Sequence, residues 1–305
     1  MRVRAVTALA CAIAIASGSS TRAAELKPAT IAAFDRYQRA AEAAIAADIE
    51  TPDHFLRVFQ RDPKSRRNAE EQLRRGNVAI ARLQVTDGGK RVEIPDGLLH
   101  HWVGTIFIPG AKIDDVVAFM QDYDHYQVVF KSAIPQSRLI DRDGRRIHFS
   151  FRFSLKRIIT VNMNTESIAD YVQMSPERVV ASIRSIRIQE VADAGTPQER
   201  ERPVGRGGGY LWRFNTYWRF LEGDGGTYLE CESVSLTRNI PLGLGWLIGP
   251  FVTSIPRDLL TSTLQATRRA LTGDSGALKA EPQAGQRGDG PRASFASASS
   301  TSTVF

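Results

Sequence analysis

Cysteine is almost missing from this chain. Two occur in 305 residues, Cys11 and Cys231, and Cys11 lies in a segment that has the form of a removable leader. The one thiol left can close no internal disulfide, and no zinc site can be built on cysteine. Metal-ligand spacing is missing too. The histidines are His54, His100, His101, His125 and His148, with no His-x-x-x-His or His-Glu-x-x-His pair among them. There is no Gly-x-Ser-x-Gly elbow and no GxGxxG, and the glycines between Gly205 and Gly209 precede no Lys-Ser/Thr. On this reading no catalytic residue, metal or cofactor is assigned. With 42% hydrophobic and 24% charged residues, the composition is globular and excludes a disordered, collagenous or multi-span membrane chain.

The two ends differ from the middle. Met1-Arg-Val-Arg4 is a basic start, Ala5 to Ala16 is apolar but too short to span a bilayer, and Thr21-Arg-Ala-Ala24 offers small residues for cleavage. Residues 1–24 therefore read as a secretory signal peptide, which predicts an exported protein, periplasmic or secreted. Its loss removes three arginines, leaving 37 basic residues against 33 acidic, so the formal +7 falls to about +4. That balance gives no nucleic-acid footprint. Residues 273–305 are Gly, Ser, Ala, Pro and Gln with few large apolar groups, and are expected to be a disordered tail.

The middle begins with a helical extension, residues 25–75. Ile31, Phe34, Tyr37, Ala41, Ile45 and Ile49 recur at three- and four-residue steps, one face of a helix over Ala29–Ile49 that stops at Thr51-Pro-Asp. Asp53–Phe59 is short and irregular, and Pro63–Arg75 suits a solvated helix. After Asn77 the period drops to two. Strands are expected near Val78–Val85 and over Leu98–Ile108, then a helix over Asp114–Tyr123. Further strands follow over Ser137–Asp141, Arg145–Leu155, Ile158–Asp170, Val179–Val191, Gly209–Glu222 and Thr227–Thr237. Asp224-Gly225 makes the last two a hairpin. The apolar segment 239–252 is broken by glycine and proline, and an amphipathic helix over Pro256–Leu271 closes the domain, residues 76–272. Runs of antiparallel strands with few helices predict an α+β fold, a curved antiparallel sheet wrapped around a long C-terminal helix. The space between sheet and helix is the default place for an apolar ligand.

Several segments carry a resemblance. They are the strand end Val103-Gly-Thr-Ile-Phe-Ile-Pro-Gly110, the helix Ile113-Asp-Asp-Val-Val-Ala-Phe-Met-Gln-Asp-Tyr-Asp124, the hairpin Tyr217-Trp-Arg-Phe220 with Tyr228-Leu-Glu-Cys-Glu232, and the closing helix from Ile255 to Leu264. Over Val78–Leu271 the chain resembles the START-like superfamily (SRPBCC, including polyketide cyclases and the birch-pollen allergen), the helix-grip proteins. The resemblance implies a hydrophobic pocket. Families with this fold bind lipids, sterols, quinones, polyketides or plant hormones, and a minority are enzymes.

Candidate residues follow from the alternation. The pocket wall is expected from Trp102, Phe149, Phe151, Met163, Ile183, Trp212, Phe214 and Trp218. A turn at Asp224-Gly225 pairs Arg219 with Glu230 and Tyr217 with Glu232, so Asn215, Tyr217, Arg219, Glu230 and Glu232 share one face. That face either stands in water or turns inward to hold a polar head group, with Arg184 or Arg187 as further candidates. Leu244, Trp246, Leu247 and Phe251 are candidates for a gate or a transient membrane contact. His100 and His101 point to opposite faces, with a partly exposed strand position as the simpler expectation for each. His125 is expected on a surface loop, and Cys231 as a buried small residue. The reading favours an exported carrier for a hydrophobic small molecule or lipid. The alternatives are a cyclase- or hydrolase-type enzyme using Tyr217 and Glu232 as a proton-moving pair, and an envelope protein contacting a partner through its N-terminal helix.

Overall fold

The structure is a computed structural model describing residues 24–60, 62–156, 160–240 and 245–273, the side chains of 245–253 excepted. All but the last residue of the expected 1–24 leader, the tail beyond Gly273 and the side chains of Leu244, Trp246, Leu247 and Phe251 lie outside the described residues. In chain order the elements are β1 (Ala24–Glu25), α1 (Pro28–Glu50), α2 (Pro63–Arg74), β2 (Ala79–Arg82), β3 (Thr86–Asp87), β4 (Lys90–Arg91) and β5 (Gly97–Pro109). Then come α3 (Ile113–Gln121), α4 (Tyr126–Val129), β6 (Gln136–Asp143), β7 (Arg146–Lys156), β8 (Thr160–Ser175) and β9 (Arg178–Ala192). The chain finishes with β10 (Arg200–Glu201), β11 (Arg206–Gly207), β12 (Arg213–Gly223), β13 (Gly226–Arg238) and α5 (Gly245–Thr272).

Local chemistry explains most of these bounds. Pro28 occupies the first turn of α1, where its missing N–H costs nothing, and Pro52 follows its end. The Asp62 carboxylate accepts from the N–H groups of Lys64 and Ser65 and caps α2. Asp224 and Gly225 both adopt positive φ, 54° and 77°, which is the two-residue turn that matches the twist of a hairpin. Around that turn Arg219 pairs with Glu230 and Tyr217 with Glu232, as the sequence predicts.

A nine-stranded antiparallel sheet runs in the order β2-β5-β13-β12-β9-β8-β7-β6, with β10 added beside β9. Its inner face carries α5. Leu260 and Leu264 pack on Gly104 of β5, where a Cβ would stand 2.8 Å from Leu264 Cδ1. Further along, Arg268 Nε donates to the Phe107 carbonyl at 3.2 Å, so α5 runs in the same direction as β5. This is the helix-grip α+β fold, an antiparallel sheet around a long C-terminal helix. The helix is longer than the periodicity suggests: it starts at Gly245, and Pro256 lies inside it. An interior proline forfeits one helical hydrogen bond, but the apolar stripe through Leu260 and Leu264 is buried on the sheet and holds the helix together.

The outer face is not solvated where the hairpin lies. Phe34, Tyr37, Ala41 and Ile45 of α1 form a second core with Tyr217, Val234 and Leu236. A third joins Phe55, Leu56, Val58, Ala69 and Leu73 to Phe107 and Tyr228. The helix α2, expected to be solvated, thus buries Ala69 and Leu73. Among the described residues no helix is long and apolar enough to cross a membrane.

Candidate functional site

Alternation along the strands divides the inner face into two halves. Under α3 and α4 it is packed solid. Tyr123 stacks on Phe149 with centroids 3.8 Å apart, Tyr126 on Phe151 at 5.0 Å, and Met120, Tyr171, Trp218 and Phe220 complete the core. The Tyr123 and Tyr171 hydroxyls lie 3.0 Å apart, and Tyr126 and Tyr171 both donate to the Met120 carbonyl at the end of α3. Phe149, Phe151 and Trp218, expected in the pocket wall, therefore serve mainly as core.

The other half is more open and more polar. Trp102 of β5, Phe153 of β7, Ile183 of β9 and Phe214 of β12 all share the inner face and stay partly exposed. Met163 pairs with Phe153 and is buried beside it. Between these apolar groups stand hydroxyls: Thr216, Ser233, Ser235, and the Ser167–Ser185 pair at 3.3 Å. Thr216 Oγ1 accepts from the Trp218 indole N–H at 3.0 Å. His100 Nε2 lies 3.1 Å from Thr237 Oγ1. Burial, reinforced by the charge of Arg82, pushes His100 down to about 4, so the imidazole is neutral at pH 7. Apolar walls with a few oriented polar groups are what a small-molecule site offers.

Trp212 is not part of this surface. It precedes the first residue of β12, so the strand alternation does not govern it, and it packs under α1.

The polar ladder takes neither of the two places expected for it. Tyr217, Arg219, Glu230 and Glu232 are on the outer face, opposite α5, yet they are buried, both glutamates at 0% exposure. The N-terminal extension covers them. Arg219 Nη1 donates to Glu230 at 2.6 Å and Nη2 to Glu232 at 3.2 Å. Arg57 donates through its backbone N to Glu230 at 3.0 Å and through Nε to Glu232 at 2.7 Å, and its Nη2 lies 3.0 Å from Asp48. Val58 N and Thr105 Oγ1 complete the Glu230 site. His101 Nε2 is 2.8 Å from Glu232, and its Nδ1 is 2.8 Å from the Tyr37 hydroxyl, which accepts from Val85 N. Burial works to raise Glu232, but His101, Arg219 and Arg57 outweigh it and hold the carboxyl at about 2.

The arginines of β9 also face outward. A β-bulge beside Glu166 and Ser167 inserts Ile186, so Arg184 and Arg187, three apart, reach the same side. Arg184 binds Glu42, which also accepts from Tyr217, while Arg187 binds Glu166 and Glu201. An outer-face groove of about 450 Å³ lies among Arg138, Arg152, Glu166, Arg187 and Glu201. Its Arg152 and Arg187 are already neutralised, by Glu199 and by Glu166 with Glu201. His100 and His101 do take opposite faces, but both are buried rather than partly exposed. His125 is exposed and paired with Asp122. Cys231 is buried, and burial, with Glu232 and Glu230, pushes its thiol far up. Among the described residues no group of three His, Cys, Asp or Glu side chains is placed to hold a metal.

No protein-family model matches the chain, and no curated protein matches it in sequence. Solved structures are similar at a distance. A STAR-related lipid transfer protein fragment from Xanthomonas axonopodis gives a TM-score of 0.41 at 14% identity, covering 63% of this chain and 98% of that one. Human STARD10 gives 0.42 at 10% identity, covering 72% and 84%. The Zhui aromatase/cyclase from a Streptomyces species gives 0.40 at 11%, covering 60% and 99%. At these values the likeness carries no argument about the site, and the reading below rests on the chain's own geometry.

Proposed function

We propose that this protein is an exported carrier for a hydrophobic small molecule, held between the open half of the inner face and α5. One observation carries the reading. Trp102, Phe153, Ile183 and Phe214 stay partly exposed on the face that bears the core helix, beside the Ser233 and Ser235 hydroxyls, for which no partner is found among the described residues. Apolar groups left only partly buried beside a covering helix gain by enclosing an apolar ligand. Export is supported by the leader-like residues 1–24. Transfer from a bilayer through the uncharged 239–256 segment is part of the same proposal.

The enzyme alternative asked for Tyr217 and Glu232 in the pocket, and both lie on the opposite face under α1 and Arg57. The partner-binding alternative put the contact on the N-terminal helix, and the apolar stripe of α1 packs on the chain's own sheet. The deciding test is native mass spectrometry of the chain purified from its own host without detergent. The expected result is a discrete added mass that denaturation releases. Protein that arrives clean and takes up no lipid or quinone probe would end the carrier reading.

A further inference from the structure

The inner face carries a second message, about the polar end of the ligand. Its polar side chains in the open half are hydroxyls and one imidazole: Thr216, Ser233, Ser235, the Ser167–Ser185 pair and His100. Most ionised side chains of the same strands are turned to the outer face, where Arg219 pairs with Glu230 and Arg184 with Glu42. The remaining charged groups of this end of the sheet and of α5 offer no desolvated charge. Glu190 has the parity of the inner face, but its carboxylate accepts from the N–H groups of Gly208 and Tyr210 at the sheet edge. Arg82 is exposed on the edge strand β2, and Asp258 is paired with Arg257. From Asn239 to Pro256, the stretch that includes the first turns of α5, the sequence has no ionisable side chain at all.

Resting on the carrier reading, we infer that the site selects an amphiphile with an uncharged hydroxyl or carbonyl end, of the sterol, quinone or fatty-alcohol kind, and rejects ionised head groups. Ser233 and Ser235 are the hydroxyls that meet the ligand's polar atom. The physical reason is desolvation. An ion brought under α5 loses its water and finds hydroxyls but no counter-charge, whereas an alcohol or carbonyl exchanges one hydrogen bond for another. A neutral His100, lowered by burial to about 4, adds a hydrogen-bonding group without adding a charge.

The test uses three probes that share one tail. Dodecanol, dodecanoate and dodecylammonium are titrated at pH 7.5 into the detergent-free chain, with binding followed by tryptophan fluorescence and checked by native mass spectrometry. Dodecanol is expected to bind at least about tenfold more tightly than either ion. Dodecanoate is expected to regain affinity as the pH falls toward 5 and its protonated fraction rises. The double variant S233A/S235A should lose the preference for dodecanol over dodecane while keeping the binding of dodecane. Equal or tighter binding of either ion at pH 7.5 would overturn the inference and leave the pocket standing. Failure of all three probes and of dodecane would remove the carrier reading and this inference together.

Discussion

Glu230 is the group whose loss this structure should feel most. It is fully buried and accepts four hydrogen bonds, from Arg57 N, Val58 N, Thr105 Oγ1 and Arg219 Nη1. Glu230→Ala leaves Arg219 with Glu232 as its close partner and strands two backbone N–H groups of the extension. Breaking a buried ion pair from one side costs about 3–5 kcal/mol. Each stranded N–H adds part of about 1–3 kcal/mol, reduced by any water that enters the gap. A loss of about 4 kcal/mol is expected, which for a domain of this size is a fall in Tm of roughly 8–16 °C. Urea unfolding followed by circular dichroism measures it. Limited proteolysis between α1 and α2 reports whether the extension lifts first, since Arg57 and Val58 lose their anchor on the sheet. The exposed pair Lys27–Asp96 is the control, and Lys27→Ala should cost under about 1 kcal/mol. If Glu230→Ala costs no more than that control, the buried network is not what holds the extension down.

Other consequences can be measured directly. Glu232 sits at about 2, below its ordinary value of 4.5, so its contribution is whole above pH 4.5 and is lost as the pH falls toward 2. His100, lowered from 6.5 to about 4, stabilises the folded chain fully above pH 6.5 and loses that contribution on the way down to 4. Stability should therefore start to fall below pH 6.5, and His100→Gln should flatten the portion between 6.5 and 4 in a series of urea midpoints. Gly104→Ala places a methyl group 2.8 Å from Leu264 Cδ1 and 3.2 Å from Leu260. It should cost about 1–3 kcal/mol by displacing α5, and an unchanged melting curve would show that the helix does not rest there. In the chain from Glu25 onward, the single thiol, Cys231, should ignore a thiol reagent until urea unfolds the sheet. Rapid labelling of folded protein would contradict its burial.

How much of this was legible beforehand depended on which residues carried the message. Period-two alternation placed Phe149, Phe151, Trp102 and Trp218 on one face correctly, because side-chain direction in a strand is local. Asp224-Gly225 set the hairpin register for the same reason: positive φ at two residues allows one turn. Arg184 and Arg187 were different. A bulge at Ile186 shifts the register, and no residue type there announces it. The strand composition could not separate Phe149, closed under Tyr123, from Phe214, still partly exposed, since that depends on where α3 and α4 land. The Ser233 and Ser235 hydroxyls were passed over because serine in a strand is unremarkable until its face is known.

The sequence alone determined an antiparallel sheet gripping an amphipathic helix, the hairpin pairing and the absence of metal and nucleophile motifs. These follow from periodicity, turn chemistry and residue type, which act over a few neighbours. The tertiary structure decided what covers each face. Glu230 meets Arg57 across a separation of 173 positions. No local pattern reports that contact, and with the packing of α1 it turns the ladder from a solvated one into a buried one. The same long-range packing left one half of the inner face only partly covered.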